Sequence, residues 1–377
     1  MIKRILTERI EKRLFKDKVI IVFGPRQCGK TTLVNTFFDK YRKDTVFYNG
    51  DESDTKELFS NPGIIKLKQI AGKKKLVIID EAQLIPDIGI ILKLFADHLK
   101  GIQVIATGSS AFELADKTSE PLTGRKYEFF LYSLCFSEMV KHTDIITEKR
   151  NLEHRLIYGY YPEIVTKQGE EKELLGLLSG SYLYKDIFIT GQLKKPLLIE
   201  KLLTTLALQI GNEVNYHELG LIVGLDNETV EHYIDLLEKS FIVFRLSSLS
   251  RNLRNELKKS RKIYFWDNGI RNAIIKNFNP LTLRQDTGAL WENFLILERI
   301  KANHYSGELV NKYFWRTHSQ QEIDYIEEKD GQLSAYEFKW NPKAKGKFPK
   351  TFFDAYPNSS KAFIHKDNYE SFLGFEG

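Results

Sequence analysis

Two glycines, a lysine and a threonine stand in the order Gly24-Pro25-Arg26-Gln27-Cys28-Gly29-Lys30-Thr31, after the apolar run Val19–Phe23 and before a helical stretch. This is the pattern of a phosphate-binding loop, G-x-x-x-x-G-K-[ST]. Gly24 and Gly29 let the backbone turn and bring N–H groups close to phosphate oxygens, with Gln27 and Cys28 between them. The helix that follows begins with unsatisfied donors and the positive end of its dipole. Lys30 is expected to reach the β- and γ-phosphates of ATP, Thr31 to ligate Mg²⁺, and Thr32 to lie near the α-phosphate. A second apolar run, Leu76–Ile79, ends in Asp80-Glu81. Asp80 is placed to hold Mg²⁺ through water, and Glu81 to polarise the attacking water. A third run, Ile102–Ala106, leads into Thr107, Ser109 and Ser110, which either sense the γ-phosphate or cap the next helix. Arg125, in the Gly-containing loop of "PLTGRKYEFFLY", either contacts the γ-phosphate in cis or in trans or is a plain surface arginine.

A second constellation lies in "EIDYIEEKDGQLSAYEFKW", from Glu322 to Trp340. Asp330-Gly331 is a type I′ hairpin signal, because that turn needs positive φ at both central positions. The resulting register sets Asp324 directly opposite Glu337, with Lys339 on the same face. Ile323, Tyr325, Tyr336 and Phe338 form the other, apolar face. Two carboxylates about 4 Å apart repel by roughly 4 kcal/mol at an effective dielectric near 20. A divalent cation held by Asp324 and Glu337, the ammonium of Lys339, or a solvated edge would each relieve that repulsion.

The elements that position these groups are legible as well. Strands at Val19, Val46, Leu76, Ile102 and Tyr127 alternate with helical stretches, which predicts an open α/β sheet with nucleotide at the strand ends. From Thr147 to Leu246 the pattern is helical. There, "NYHELGLIVGLDNETVEHYIDLLEKSFIVFRL" reads as helix, tight turn, helix and strand. Its second helix carries Glu228, Glu231, Asp235 and Glu238, which would repel DNA phosphate, so a structural or protein-contact role is expected. In "RNLRNELKKSRK" the residues Arg251, Arg254, Lys258, Lys259, Arg261 and Lys262 read as a solvated face or a DNA-backbone contact. The expected domains are 1–146, 147–250 and 251–377.

Composition narrows the class. The 377 residues carry a net charge of +6, which mildly favours an anionic partner. Two distant cysteines exclude a disulfide scaffold and fit a reducing cytoplasm. Ile2, Leu6, Ile10 and Leu14 recur at helical spacing and read as a docking face. No run is long enough to span a membrane.

"GPRQCGKTTL", "LVIIDEAQ", "ATGSS", "LTGR" and "SLCFSE" resemble a prokaryotic family of AAA-superfamily ATPases. Its members carry a C-terminal domain of unknown function related to PD-(D/E)xK nucleases. The resemblance continues through "YGYYPEIV", "YLYKDI", "VEHYIDLLEKSFIV" and "KIYFWDNGIRNAI". Cys28 departs from the family's usual valine or alanine-like residue, and "GYYPE" from its usual pair of glycines. The resemblance implies an AAA-type domain, a winged-helix middle and a C-terminal α/β restriction-endonuclease-like domain. It also adds Glu292, in "GALWENFLILERI", to a catalytic set of Asp324, Glu337 and Lys339 around Mg²⁺. Two functional readings follow. In one, ATP controls a nuclease acting on DNA. In the other, an ATP-gated DNA-binding or protein-interaction switch retains an inactive nuclease-like fold. AAA relatives often form rings, so a homo-oligomer is left open.

Overall fold

The computed structural model describes residues 1–108, 118, 121–182, 196–250, 260–317, 319–344 and 346–375. They form two compact units. The first comprises Met1–Leu134 with Lys239–Phe241; the second takes in Cys135–Ser181, 196–238 and Ile242 onward.

The first unit opens with helix α1, Leu6–Glu11, and its buried Leu6, Ile10 and the following Leu14 form the expected docking face. Five parallel strands follow: β1 (Val19–Phe23), β2 (Thr45–Asn49), β3 (Leu76–Asp80), β4 (Gln103–Gly108) and β5 (Lys126–Phe130). Their order is β2-β3-β4-β1-β5. Every residue of β1, β3 and β4 is buried, as expected for central strands of a parallel sheet. Helix α2, Lys30–Lys40, leaves the C-terminal end of β1 and buries Leu33, Val34 and Phe37.

The second unit contains a mixed seven-stranded sheet: β6 (Glu213–Val214), β7 (Val243–Ser248), β8 (Arg261–Phe265), β9 (Asn311–Arg316), β10 (Glu322–Lys329), β11 (Gln332–Phe338) and β12 (Ser360–Ile364). Its order is β12-β11-β10-β9-β7-β8-β6. The strand that closes the helix-turn-helix stretch, which the resemblance would make part of a winged helix, is β7. It lies inside the sheet, antiparallel to β8 and parallel to β9. The expected boundary at 250/251 therefore falls within one sheet. The other expected boundary, at 146/147, lies inside the second unit. The helix Phe136–His142 belongs there because Phe136 N–H donates to Glu298 Oε2 at 2.6 Å. Glu298 is itself buried and paired with Lys301 at 2.8 Å. Glu298 and Lys301 both lie on the helix Thr287–Ser306, which packs on β8 and β11. Two quoted motifs meet nearby. Asp267 accepts the Tyr160 N–H at 2.8 Å, and a Cβ at Gly159 would collide with the Asp267 carboxylate at 1.9 Å.

The β10–β11 hairpin has the expected register, with Tyr325 opposite Tyr336, and positive φ at Asp330 (52°) and Gly331 (79°). One expectation fails. Ile323 does not share a face with Tyr325; it packs with Ile326, Ala335 and Phe352. A register shift against β9 between Ile323 and Ile326 breaks the strict alternation. No helix among the described residues is long and apolar enough to cross a membrane.

Candidate functional site

The phosphate loop joins β1 to α2, with left-handed backbone at Gln27 (φ 57°) and Gly29 (φ 95°). A Cβ at Gly24 would lie 2.1 Å from Leu131 O, so the position has room for glycine alone. The buried Lys30 ammonium folds back over its own loop, donating to Gly24 O at 3.0 Å and Pro25 O at 2.9 Å. Thr32 and Gln27 are exposed, while the Cys28 thiol points inward and donates to Leu131 O at 3.3 Å. Burial pushes that thiol above its ordinary pKa, so Cys28 contributes backbone rather than a reactive sulfur.

Strand register brings the acid pair alongside. Thr31 Oγ1 donates to Asp80 Oδ2 at 2.6 Å. The Thr107 hydroxyl donates to Asp80 Oδ1 and accepts the Glu81 N–H at 3.1 Å. Thr107 is fully buried and committed to this pair, which is a different task from the expected γ-phosphate sensor. Ser109 and Ser110 lie outside the described residues. Glu81 adopts left-handed backbone (φ 48°), and its carboxylate accepts from Gln83 Nε2 at 2.6 Å. The hydroxyl of Thr31 and the carboxylate of Asp80 are hard oxygen donors, the kind that fit Mg²⁺.

Arg125 is not brought to this site. Its carbonyl accepts the Val19 N–H at 2.9 Å, which puts it at the N-terminal ends of β1 and β5. That is one strand length, about 17 Å, from the loop. Its guanidinium pairs with Asp97 at 2.6 Å instead. A contact with the γ-phosphate in cis is thereby corrected.

Arg4 is a residue that sequence reasoning missed. It is buried, and it donates to Cys28 O and to Tyr132 O, each at 2.7 Å. The trans peptide is planar, so holding the Cys28 carbonyl fixes the Gly29 N–H on the opposite side. No local signal marks Arg4, because its partners lie 24 and 128 residues away. Arg4→Ala is expected to strand both carbonyls at about 1–3 kcal/mol each and to weaken nucleotide binding at least tenfold. Leu6→Ala, which loosens α1 but keeps the guanidinium, should lower the melting midpoint without a comparable loss of affinity. Equal affinity losses in the two variants would remove the positioning role of Arg4.

In the second unit, the helix Thr287–Ser306 with β8, β10 and β11 gathers Glu292, Asp324, Glu337 and Lys339, as expected. It adds three groups outside the expected set, Lys262, Tyr264 and Glu322. Lys262, expected in a solvated basic run, is 2 % exposed and sits 3.1 Å from Glu292 Oε1 and 2.5 Å from Glu322 Oε1. Arg261, from the same run, pairs with Glu231; Arg251, Arg254, Lys258 and Lys259 lie outside the described residues. Tyr264 donates to Glu292 Oε1 at 2.5 Å. Asp324 Oδ2 accepts the Phe338 N–H at 2.8 Å, and Lys339 lies 3.1 Å from Glu337 Oε2. Burial, Glu292 and Glu337 hold the Asp324 carboxyl well above the usual range. Burial also raises Glu337, against the pull of Lys339. Burial penalises the Lys262 ammonium, yet Glu292, Glu322 and Asp324 keep it more basic than an ordinary lysine. Among the described residues no three His, Cys, Asp or Glu side chains form a ready metal site. Lysines lie among these carboxylates, Lys262 between Glu292 and Glu322 and Lys339 beside Glu337. Strand alternation from Asp324 to Glu322 was the signal that would have found the extra acid.

Known proteins resemble the chain segment by segment. Residues 16–140 match an AAA domain family, 149–281 a domain of unknown function (DUF8612), and 287–372 another (DUF4143). The first segment is therefore an AAA-type P-loop ATPase domain. An uncharacterized protein of Mycobacterium tuberculosis is 26% identical over 343 residues, covering 89% of this chain and 74% of its own. One from Methanocaldococcus jannaschii is 21% identical over 344 residues, covering 86% and 75%. The solved Pif1 helicase of Candida albicans overlaps 48% of each chain at 15% identity, with a TM-score of only 0.28.

Proposed function

We propose that the AAA domain hydrolyses ATP with Mg²⁺ and that its nucleotide state controls the second unit, which acts on DNA. The observation that carries the first half is the 2.6 Å contact between Thr31 and Asp80 beside the Lys30 loop. Lys30 and the loop N–H groups bind the phosphates, and Thr31 and Asp80 hold the ion. Mg²⁺ supplies charge neutralisation at the β- and γ-phosphates. Glu81 orients the water and takes its proton. In the second unit, Glu292, Asp324 and Glu337 would hold a divalent ion that activates water for phosphodiester cleavage, with Lys339 steadying the developing charge.

The burial of Lys262 between Glu292 and Glu322 favours a second reading, in which its ammonium stands where a cation would and the unit only binds. One set of assays separates the two. Wild type and Glu81→Gln are tested for ATP turnover and for binding of a fluorescent ATP analogue. Wild type and Glu337→Ala are tested for cleavage of single- and double-stranded DNA with Mg²⁺ or Mn²⁺. Glu81→Gln should bind nucleotide and lose turnover; turnover at the wild-type rate would remove Glu81 from catalysis. Cleavage that disappears in Glu337→Ala supports the nuclease reading. No cleavage under any condition, with turnover intact, supports the switch.

A further inference from the structure

One stretch near the C-terminal end is rich in lysine and almost free of acids. From Lys339 to Lys366 there are seven lysines, one aspartate (Asp354) and neither arginine nor glutamate, an excess of six that equals the net charge of the whole chain. Lys343, Lys347, Lys350, Lys361 and Lys366 are exposed, and among the described residues none of the five has an acidic partner. Some lysines elsewhere do: Lys149 pairs with Glu370, Lys167 with Glu163 and Lys329 with Glu308. The stretch is also well supported. A Cβ at Gly346 would lie 2.2 Å from the Phe363 ring, so glycine lets the chain lie directly on β12. Phe348 packs on Phe363 at 4.5 Å, and the Lys361 ammonium sits 5.0 Å from the Phe353 ring. Lysine on an edge strand commonly blocks strand pairing. That explains Lys361 on β12 but not the other four, which lie outside the strand.

We propose that this surface binds the phosphodiester backbone of nucleic acid without sequence preference. Unpaired like charges gathered along one stretch of chain repel one another, and a polyanion reverses that cost. Lysine offers point charges suited to phosphate. The stretch has no arginine, so it lacks the bidentate guanine contact that most often reads sequence. None of the large exposed apolar side chains lies between Lys339 and Lys366, so nothing there anchors it in lipid. Lys339 belongs both to this stretch and to the acid–lysine cluster. The inference rests on the second unit's being directed at nucleic acid, but not on cleavage there.

The test is fluorescence anisotropy of the full chain with a labelled duplex and a labelled single strand, in EDTA, across a salt series. The logarithm of affinity should fall with the logarithm of salt at a slope of about −4 to −5 for the duplex, as five neutralised phosphates require. Replacing Lys343, Lys347, Lys350, Lys361 and Lys366 together with Gln should bring that slope near zero. It should lower affinity about a hundredfold or more and leave ATP turnover unchanged. Replacing the same five with Arg should keep the slope. Glu337→Ala should retain binding even if cleavage disappears, so loss of the nuclease reading leaves this one standing. An unchanged slope in the Gln variant, strong preference for one duplex sequence, or binding to anionic vesicles in place of nucleic acid would each overturn it.

Discussion

Lys30→Ala loses ATP turnover by at least about two to three orders of magnitude and binds nucleotide about a hundredfold more weakly, with the first unit still folded. The reason lies in what Lys30 touches. Its ammonium is buried among loop carbonyls, with Gly24 O and Pro25 O as acceptors. Removing it strands two acceptors at a local cost of about 1–3 kcal/mol each, which does not reach the fully buried β1, β3 and β4. It also removes the buried positive charge expected to reach the phosphates. Binding would be measured with a fluorescent ATP analogue and turnover by phosphate release. Turnover that survives the substitution would place the chemistry elsewhere. Lys30→Arg should recover little, because the wider guanidinium does not fit between the two carbonyls.

Lys262→Met has the largest expected effect on stability. The residue is 2 % exposed between two carboxylates, Glu292 and Glu322. Breaking a buried pair by removing one member typically costs 3–5 kcal/mol, or a fall of roughly 10 °C in the second unit's melting midpoint. The loss should depend on pH. Asp324 holds its proton to higher pH in the folded state than in the unfolded chain. Its contribution to stability therefore falls as pH rises from the unfolded carboxylate value, about 3.9, through the raised folded value. A divalent cation needs that carboxylate ionised, so it should bind more tightly over the same rise. Melting curves of Lys262→Met with and without Mn²⁺ decide the matter. A midpoint restored by Mn²⁺ supports the metal-dependent reading. A loss that no divalent cation repairs supports the binding switch.

How much of this was readable from sequence depends on how local each signal is. β1, β3 and β4 fall where expected because a strand buried on both faces shows as a continuous apolar run; the partly exposed β2 and β5 were placed by their alternation with helical stretches. The Asp330-Gly331 turn was readable because it takes two adjacent residues. The register shift near Asp324 was not, since a bulge exists only relative to a partner strand. Lys262 looked like part of a solvated basic run because its acids, Glu292 and Glu322, lie 30 and 60 residues further on. Arg125 was left open between a phosphate contact and a surface arginine for another reason. Its motif gives a loop beside a strand, but not which end of the sheet the loop occupies.

The seven-stranded sheet also bears on whether its two matched segments can stand apart. β6, β7 and β8 fall within the 149–281 segment and β9 to β12 within 287–372, yet β7 hydrogen-bonds directly to β9. Neither segment can bury its interior strand edge alone. Expressed separately, each half would be a sticky fragment. Mixed together, the two should reassemble as split proteins do. The boundary between the two matched segments thus runs through the middle of one sheet.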